Sequence, residues 1–319
     1  MMIPERHSHM RIGILVLLAS TILSAQTAPP KPQNQTPKPE DVAAMLAALP
    51  DKAPAKPAHA RKLLVLCKAA GFVHSSIPLA AKTIEAMGEK TGAWSTTISY
   101  DPAVITAENL KQYDGIFLAS TTGEFLNDPA DTKLTEARKK ALLDFVRGGK
   151  GIAGIHAATD TYHTGGKGIT PAPLWPEWNK AIGGFFVFHW SYPQLITTKI
   201  DDPKSPLTKM FHGEDFEIRD ETYVYAQDSF SRKNVHVLTS VNYAKMSDAD
   251  KAKEPVENRR TDGDYALSWI RREGKGRIFY EAHGHSEKIY AIRPMLEHVL
   301  AGVQYALGDL KADDRPSVK

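Results

Sequence analysis

Hydrophobic positions along this chain change rhythm at Arg61. Beyond it, Leu63-Leu64-Val65-Leu66-Cys67 and Gly151-Ile152-Ala153-Gly154-Ile155 are continuous apolar runs, and Asp114-Gly115-Ile116-Phe117-Leu118-Ala119 is nearly so. Runs of this length without polar alternation predict strands buried on both faces. Thr96 to Tyr100 predicts one more short strand. Between these runs the spacing is helical: Leu79, Ala80, Ile84 and Met87 within Ile77 to Lys90, a shorter stretch from Thr106 to Gln112, and Leu134, Ala141, Leu142, Phe145 and Val146 within Leu134 to Arg147, which Gly148-Gly149 ends. Strands alternating with helices predict a doubly wound, mainly parallel α/β sheet. The second half is less regular. Gln194 to Ile200, Thr222 to Ala226, Val235 to Thr239, Tyr265 to Arg271 and Arg277 to Glu281 read as strands of a partly antiparallel extension, closed by a helix from Tyr290 to Leu307. No internal repeat is present, so 61–308 reads as one domain with a polar tail over 309–319.

Upstream of Arg61 the texture differs. Arg6 and Arg11 precede the apolar run Ile12 to Leu23, and the small residues Ser24-Ala25 follow. This is the layout of a secretory signal over residues 1–25, predicting an exported protein, periplasmic or secreted. The run is short of the ~20 apolar residues a membrane span needs, so no stable span is expected after cleavage. An uncleaved anchor, and Met10 rather than Met1 as the true start, stay open as alternatives. Residues 26–60 are rich in Pro, Ala and Lys and read as a linker. A short helix starting at Pro39-Glu40-Asp41 interrupts it, carrying Val42, Met45, Leu46 and Leu49 until Pro50 stops it.

Composition narrows the chemistry. Cys67 is the single cysteine, so no internal disulfide forms and stability rests on an ordinary core. Lying within an apolar strand, Cys67 reads as a small buried hydrophobe rather than a nucleophile. Removing residues 1–25 takes away Arg6, Arg11 and Glu5 and leaves 38 basic and 36 acidic side chains. With no basic block interleaved with aromatics, nucleic acid is not an expected partner. The chain carries no Gly-x-Ser-x-Gly elbow, no Walker loop, no Gly-x-Gly-x-x-Gly after a strand and no cysteine pair, so neither a serine nucleophile nor a nucleotide cofactor is expected.

In open α/β sheets ligands bind outside the carboxyl ends of the strands, so polar residues just after strands are the candidates. After the first strand comes Gly71-Phe72-Val73-His74-Ser75-Ser76-Ile77-Pro78, with His74 in the loop and a serine placed to cap the helix. Ser120-Thr121-Thr122-Gly123-Glu124 follows the third strand. His156-Ala157-Ala158-Thr159-Asp160 follows the fourth, where small residues permit the sharp turn that exposes a side chain above a sheet. If helical, it puts His156 and Asp160 on one face as a pair or as two metal ligands. His189 and Trp190 end an aromatic strand, and Asp220-Glu221-Thr222-Tyr223 opens a later one. In Glu281-Ala282-His283-Gly284-His285-Ser286, extended backbone turns one histidine inward and the other out. Trp175 and Trp178 either line a pocket or pack. His163, His212, His236 and His298 have no such placement and read as surface, loop or helix residues.

These segments in this order resemble the trehalose-utilisation (ThuA-like) family, whose fold is that of class I glutamine amidotransferases. The resemblance rests on the His74 and His156 segments together with Tyr113-Asp114-Gly115-Ile116-Phe117, Gly183-Gly184-Phe185-Phe186, Asp220-Glu221-Thr222-Tyr223, Gly274-Lys275-Gly276-Arg277-Ile278-Phe279-Tyr280 and Gly284-His285. It covers about Arg61 to Gly308 and implies a flavodoxin-like sheet and a role in carbohydrate breakdown, pointing to 3-keto-glycosides as substrates. His156 stands where amidotransferases keep their cysteine, which argues against thiolate-dependent glutamine hydrolysis. The histidine-proline pair that family members often carry before an Ala-Trp strand is absent from Asp264-Tyr265-Ala266-Leu267-Ser268-Trp269. Cleaving a 3-keto-glycoside by elimination needs a base, an electrophile for the enolate oxygen and an acid for the leaving group, roles that imidazoles and carboxylates fill near neutral pH. The resulting expectation has His156, Asp160 and His74 catalytic, with Glu124, His189, Trp190, Glu221, Tyr223 and His285 around a small carbohydrate. One divalent metal has His74, His156, His189 and His285 as candidate ligands. A metal-dependent hydrolase of ordinary glycosides or esters and a non-catalytic sugar-binding domain are the competing readings.

Overall fold

The computed structural model describes residues 1–2, 32–165 and 169–318. The signal expected over residues 1–25 lies, apart from Met1 and Met2, outside the described residues. From Gln33 onward the chain forms one compact unit.

The apolar runs become the centre of a sheet. β1 (Lys62–Leu66), β2 (Ser95–Ser99), β3 (Gly115–Ala119) and β4 (Gly151–Ile155) pair in parallel in the order β2-β1-β3-β4. β5 (His163–Thr164) and β6 (Ala172–Pro173) form a small hairpin, and β7 (Phe186–His189) pairs antiparallel with β10 (Tyr223–Tyr225). The remaining strands are β8 (Gln194–Ile200), β9 (Phe216–Asp220), β11 (His236–Val241), β12 (Ala266–Glu273) and β13 (Gly276–Glu281). β13 lies parallel to β4, and β12, β11, β8 and β9 then extend the sheet antiparallel to nine strands. The parallel part has the flavodoxin order 2-1-3-4-5 with β13 as the fifth strand. The expected fold class, including the antiparallel extension of the second half, is the one observed.

Helices cover both faces, as a sheet apolar on both sides requires. α1 (Pro39–Ala48), α2 (Ile77–Thr91) and α7 (Arg293–Leu307) pack on one face; α3 (Ala107–Leu110), α4 (Thr132–Arg147) and α5 (Pro176–Ile182) pack on the other. α6 (Asp248–Lys251) is a single exposed turn capped by Ser247. At Gly302 a Cβ would lie 2.3 Å from the Phe279 ring, so glycine lets α7 sit directly on β13. Asp131 caps α4 through the Leu134 amide at 3.0 Å, the preferred chemistry for that position.

The stretch read as a linker is, from Gln33, folded onto this unit. Met45 and Leu49 are buried, and α1 lies against α2 and the 3-10 turn Glu287–Ala291. The Gln33 amide donates to the Cys67 carbonyl and accepts from the Ala69 amide, while Gln304 of α7 exchanges two hydrogen bonds with Ala55. The polar tail also engages the sheet: Ser317 donates its amide to the Val235 carbonyl and its hydroxyl accepts from the Val237 amide. No described helix is long and apolar enough to cross a membrane.

Candidate functional site

Three loops at the carboxyl ends of the parallel strands, and one from the antiparallel extension, converge on a single point. The β4 strand ends in a 3-10 turn, His156–Thr159, entered with His156 at φ +49°. A non-glycine residue in that left-handed region is strained by about 1–3 kcal/mol and persists only where its surroundings hold it. They do so here. The Tyr280 hydroxyl donates to the His156 carbonyl at 2.6 Å, and His156 Nδ1 donates to the Ala282 carbonyl at 2.8 Å. With Nδ1 donating to that carbonyl, Nε2 is the atom turned inward, a donor while it holds a proton and a lone pair once it gives it up.

Nε2 of His156 meets Nε2 of His74 at 3.1 Å and Oε2 of Glu221 at 3.3 Å. His285 Nδ1 lies 3.1 Å from the same Glu221 oxygen. His74, His156, Glu221 and His285 thus each offer one ligand atom within 4.8 Å of the others. His74, His156 and Glu221 are buried, and His285 is half-buried at the opening. Burial, aided by the charges of His156 and His285, pushes His74 down to about 2, so its ring stays neutral with a lone pair to give. Burial alone would raise the Glu221 carboxyl, but hydrogen bonds from His156 and His285 hold it well below the usual range. His285 would be lowered by burial, and Glu221 raises it instead.

A neutral imidazole lone pair facing a carboxylate is repulsive unless a proton or a cation stands between them. His74 Nδ1 is also buried without a hydrogen-bond partner, a costly state for a polar atom. Three imidazoles and one carboxylate suit a divalent transition metal rather than calcium or magnesium, which take oxygen ligands. The Nδ1 bond from His156 to a carbonyl is the outer contact that metal-bound histidines make. The donor set therefore fits a divalent cation.

The loop carrying His285 is held by a residue outside the cluster. Asp220 is fully buried and accepts the backbone N–H groups of Gly284, His285 and Ser286 at 2.6, 3.2 and 2.9 Å. Gly284 has φ +137°, and a Cβ there would crowd the Tyr290 hydroxyl at 3.0 Å. Ser76, placed to cap α2, makes no side-chain cap; its hydroxyl donates to the Gly284 carbonyl at 2.7 Å and ties the His74 and His285 loops together. His283 points away from the cluster and pairs with Glu281, which also faces His298.

Around the cluster the structure sorts the other candidates. Tyr223 is buried with its ring 4.5 Å from that of His156 and 4.2 Å from Phe186. His189 lies outside the group of four: its Nδ1 donates to the Trp190 carbonyl at 2.7 Å and contacts Oε1 of Glu221 at 3.3 Å. That leaves Nε2 as an acceptor on a side chain 42% exposed, at the edge of a cleft of about 780 Å³. Two exposed aromatics that sequence reasoning passed over stand at the mouth, Tyr192 with its ring 4.2 Å from His285 and Phe72 with its ring 4.7 Å from His74. Phe72 lay in the His74 segment and could have been found there.

Two expectations are corrected, those for Asp160 and Trp190. Asp160 does not partner His156, because a 3-10 turn fails to stack residues four apart; its carboxylate pairs with His163 Nε2 at 2.9 Å. Trp190 is fully buried against Phe188 and Tyr265 and offers no face to a sugar. His298 is buried in α7, its Nδ1 donating to the Leu207 carbonyl at 2.6 Å. Glu124 is exposed and accepts from Asn127, apart from the four. Trp175 and Trp178 pack against each other under the Tyr162 loop. Cys67 is buried, its thiol pushed up to about 12 by burial.

The sequence profile of the family described as ThuA, trehalose utilisation, matches residues 62–306. No curated protein matches the chain. Among solved structures, a ThuA-like protein from Bacteroides uniformis aligns with a TM-score of 0.57 at 22% identity, covering 78% of this chain and 94% of that one. Another from Parabacteroides merdae aligns with a TM-score of 0.51 at 14% identity, covering 80% and 92%. At these identities the structures speak for the fold.

Proposed function

The chain belongs to the trehalose-utilisation (ThuA) family, and on that premise we propose that it is an exported, metal-assisted enzyme cleaving 3-keto-glycosides. The observation that carries this reading is the convergence of His74, His156, His285 and Glu221 on one point beside an open cleft. A divalent cation held there would act as a Lewis acid for the oxygen of a C3 ketone and favour loss of the neighbouring C2 proton. The fully buried Nε2 of His156, facing His74 and Glu221, suits a ligand better than a base. His189 suits the base: its Nδ1 is fixed by the Trp190 carbonyl, which leaves Nε2 free, and the residue lines the cleft.

The step balances on one imidazole. Nε2 of His189 takes the C2 proton, C1=C2 forms as the C1–O bond breaks, and the same proton passes to the departing oxygen. Water then adds across C1=C2, hydroxyl to C1 and hydrogen to C2, giving the free 3-keto sugar. Phe72 and Tyr192 supply apolar faces on which a pyranose ring can stack. Export rests on Arg6, Arg11 and the apolar run to Leu23.

The deciding experiment incubates the protein, as isolated and after chelation, with 3-keto-glucosides and with the same glucosides unoxidised. Turnover of the 3-keto compounds alone, lost on chelation and restored by metal, is the expected result. Equal turnover of plain glucosides would move the assignment to an ordinary metal-dependent glycosidase, and turnover of none to a sugar-binding domain.

A further inference from the structure

The cleft next to His189 has a different chemistry from the cluster it adjoins. Its walls are Phe186, Val187 and Phe188 of β7 with Ile169, Pro171 and Pro255 from two loops. Its polar side chains besides His189 are Thr170, Glu257 and Asn258, and Asn258 already donates to the Val187 carbonyl at 3.3 Å. Glu257 is the carboxylate among its described lining residues, and it would repel a phosphate or carboxylate on the bound molecule. On the rim Ile169 is 55% exposed, and Val256, between Pro255 and Glu257, is 81% exposed. Large aliphatic side chains bared beside a cleft mark surface that a ligand covers.

A second sugar seated here would find Thr170 and Glu257 for some of its hydroxyls but turn the others toward isoleucine, valine and proline, where water is lost without a hydrogen bond in return. A flat aromatic ring would lose only apolar surface and gain the faces of Phe186 and Phe188. We infer that this cleft is the leaving-group subsite and takes an aryl or similarly planar aglycone in preference to a second sugar. The inference rests on the glycoside-cleaving reading. His189 then stands at the junction, with the pyranose on the Phe72 and Tyr192 side and the aglycone on the Phe186 and Phe188 side.

The test compares kcat/KM for benzyl 3-keto-glucoside, methyl 3-keto-glucoside and 3-keto-trehalose on the full chain. Benzyl alcohol is no better a leaving group than a sugar hydroxyl, so intrinsic reactivity cannot create a benzyl preference. Burial of one ring predicts a preference of about tenfold or more for the benzyl compound over both others. Phe188→Leu and, on the exposed rim, Ile169→Ser should each shrink the ratio of benzyl to methyl turnover. Calorimetric titration with unoxidised benzyl glucoside and with trehalose reads the cleft without chemistry. A sugar leaving group processed as well as benzyl overturns the inference and leaves glycoside cleavage standing. Absence of turnover with every substrate counts against cleavage instead, and the titration still decides the cleft: benzyl glucoside binding no tighter than trehalose overturns it.

Discussion

Replacing Asp220 with alanine removes one carboxylate and strands three backbone donors. Gly284, His285 and Ser286 give their N–H groups to it, and the carboxylate itself is fully buried. Each buried donor left unpaired costs about 1–3 kcal/mol. His285 is only half-buried and can recruit water, so the two remaining donors set the sum expected for Asp220→Ala at about 2–6 kcal/mol. Against a typical domain stability of about 5–15 kcal/mol, that is a large fraction. Asp220→Asn keeps one acceptor oxygen but turns an NH2 toward a backbone donor, and should fall between the two. The loop it holds delivers His285, so zinc affinity should drop about 10–100-fold in the asparagine variant, the usual cost of losing an outer contact to a metal ligand. Urea unfolding followed by tryptophan fluorescence reads the first quantity, and calorimetric zinc titration of the folded variant reads the second. An alanine variant within about 1 kcal/mol of the parent that still binds zinc equally well would refute this account of the loop.

Other expectations follow from the same geometry. Glu221→Gln and His156→Ala should each lower zinc affinity at least about 100-fold, since each removes a direct donor; unchanged affinity would dissolve the cluster as a metal site. His189→Gln should lower kcat by about 10²–10⁴ and leave zinc affinity as it was, and a parallel loss of both would make His189 a ligand instead. Burial alone would raise the Glu281 carboxyl, but the imidazoles of His283 and His298 hold it at about 2, below the ordinary 4.5. Its contribution to stability is therefore full above about pH 4.5 and fades as pH falls toward 2. Urea midpoints measured from pH 6 to 3 should fall less steeply in Glu281→Gln, and identical slopes would contradict the pairing. Cys67 should resist a thiol-specific disulfide reagent in the native protein and react on unfolding, because both its burial and its raised thiol disfavour the thiolate.

The parallel half of the sheet was readable in the sequence because strands buried on both faces leave no polar alternation to confuse with helix. β9 was not. Phe216-Glu217-Ile218-Arg219-Asp220 alternates exposed charge with buried positions, and the charges mask a strand only five residues long. α5 was hidden differently: only seven residues long, it registered as two tryptophans. The strand-end rule brought His74, His156 and His285 forward separately, since each follows a parallel strand. Their fourth companion, Glu221, sits at the far side of the antiparallel extension, and nothing local ties it to His156, 65 positions earlier. The Asp160 pairing failed on a small geometric difference: the turn after β4 is 3-10 rather than α. Asp220 looked like a second acidic residue beside Glu221, while its work is done on backbone amides that carry no signature in sequence.

The contact between α1 and the Glu287–Ala291 turn has a consequence for the order in which the molecule is made. That turn begins two residues after His285, and α1 leans on it from about 240 positions upstream. Contacts of such long range close late, after the intervening chain has collapsed. On the export route proposed above, the N-terminal segment emerges first and has nothing to rest against until almost the last residues arrive. The corner that positions His285 would then be latched only after the entire chain has cleared the membrane. On that route the proposed metal site would be completed last, on the far side of the membrane.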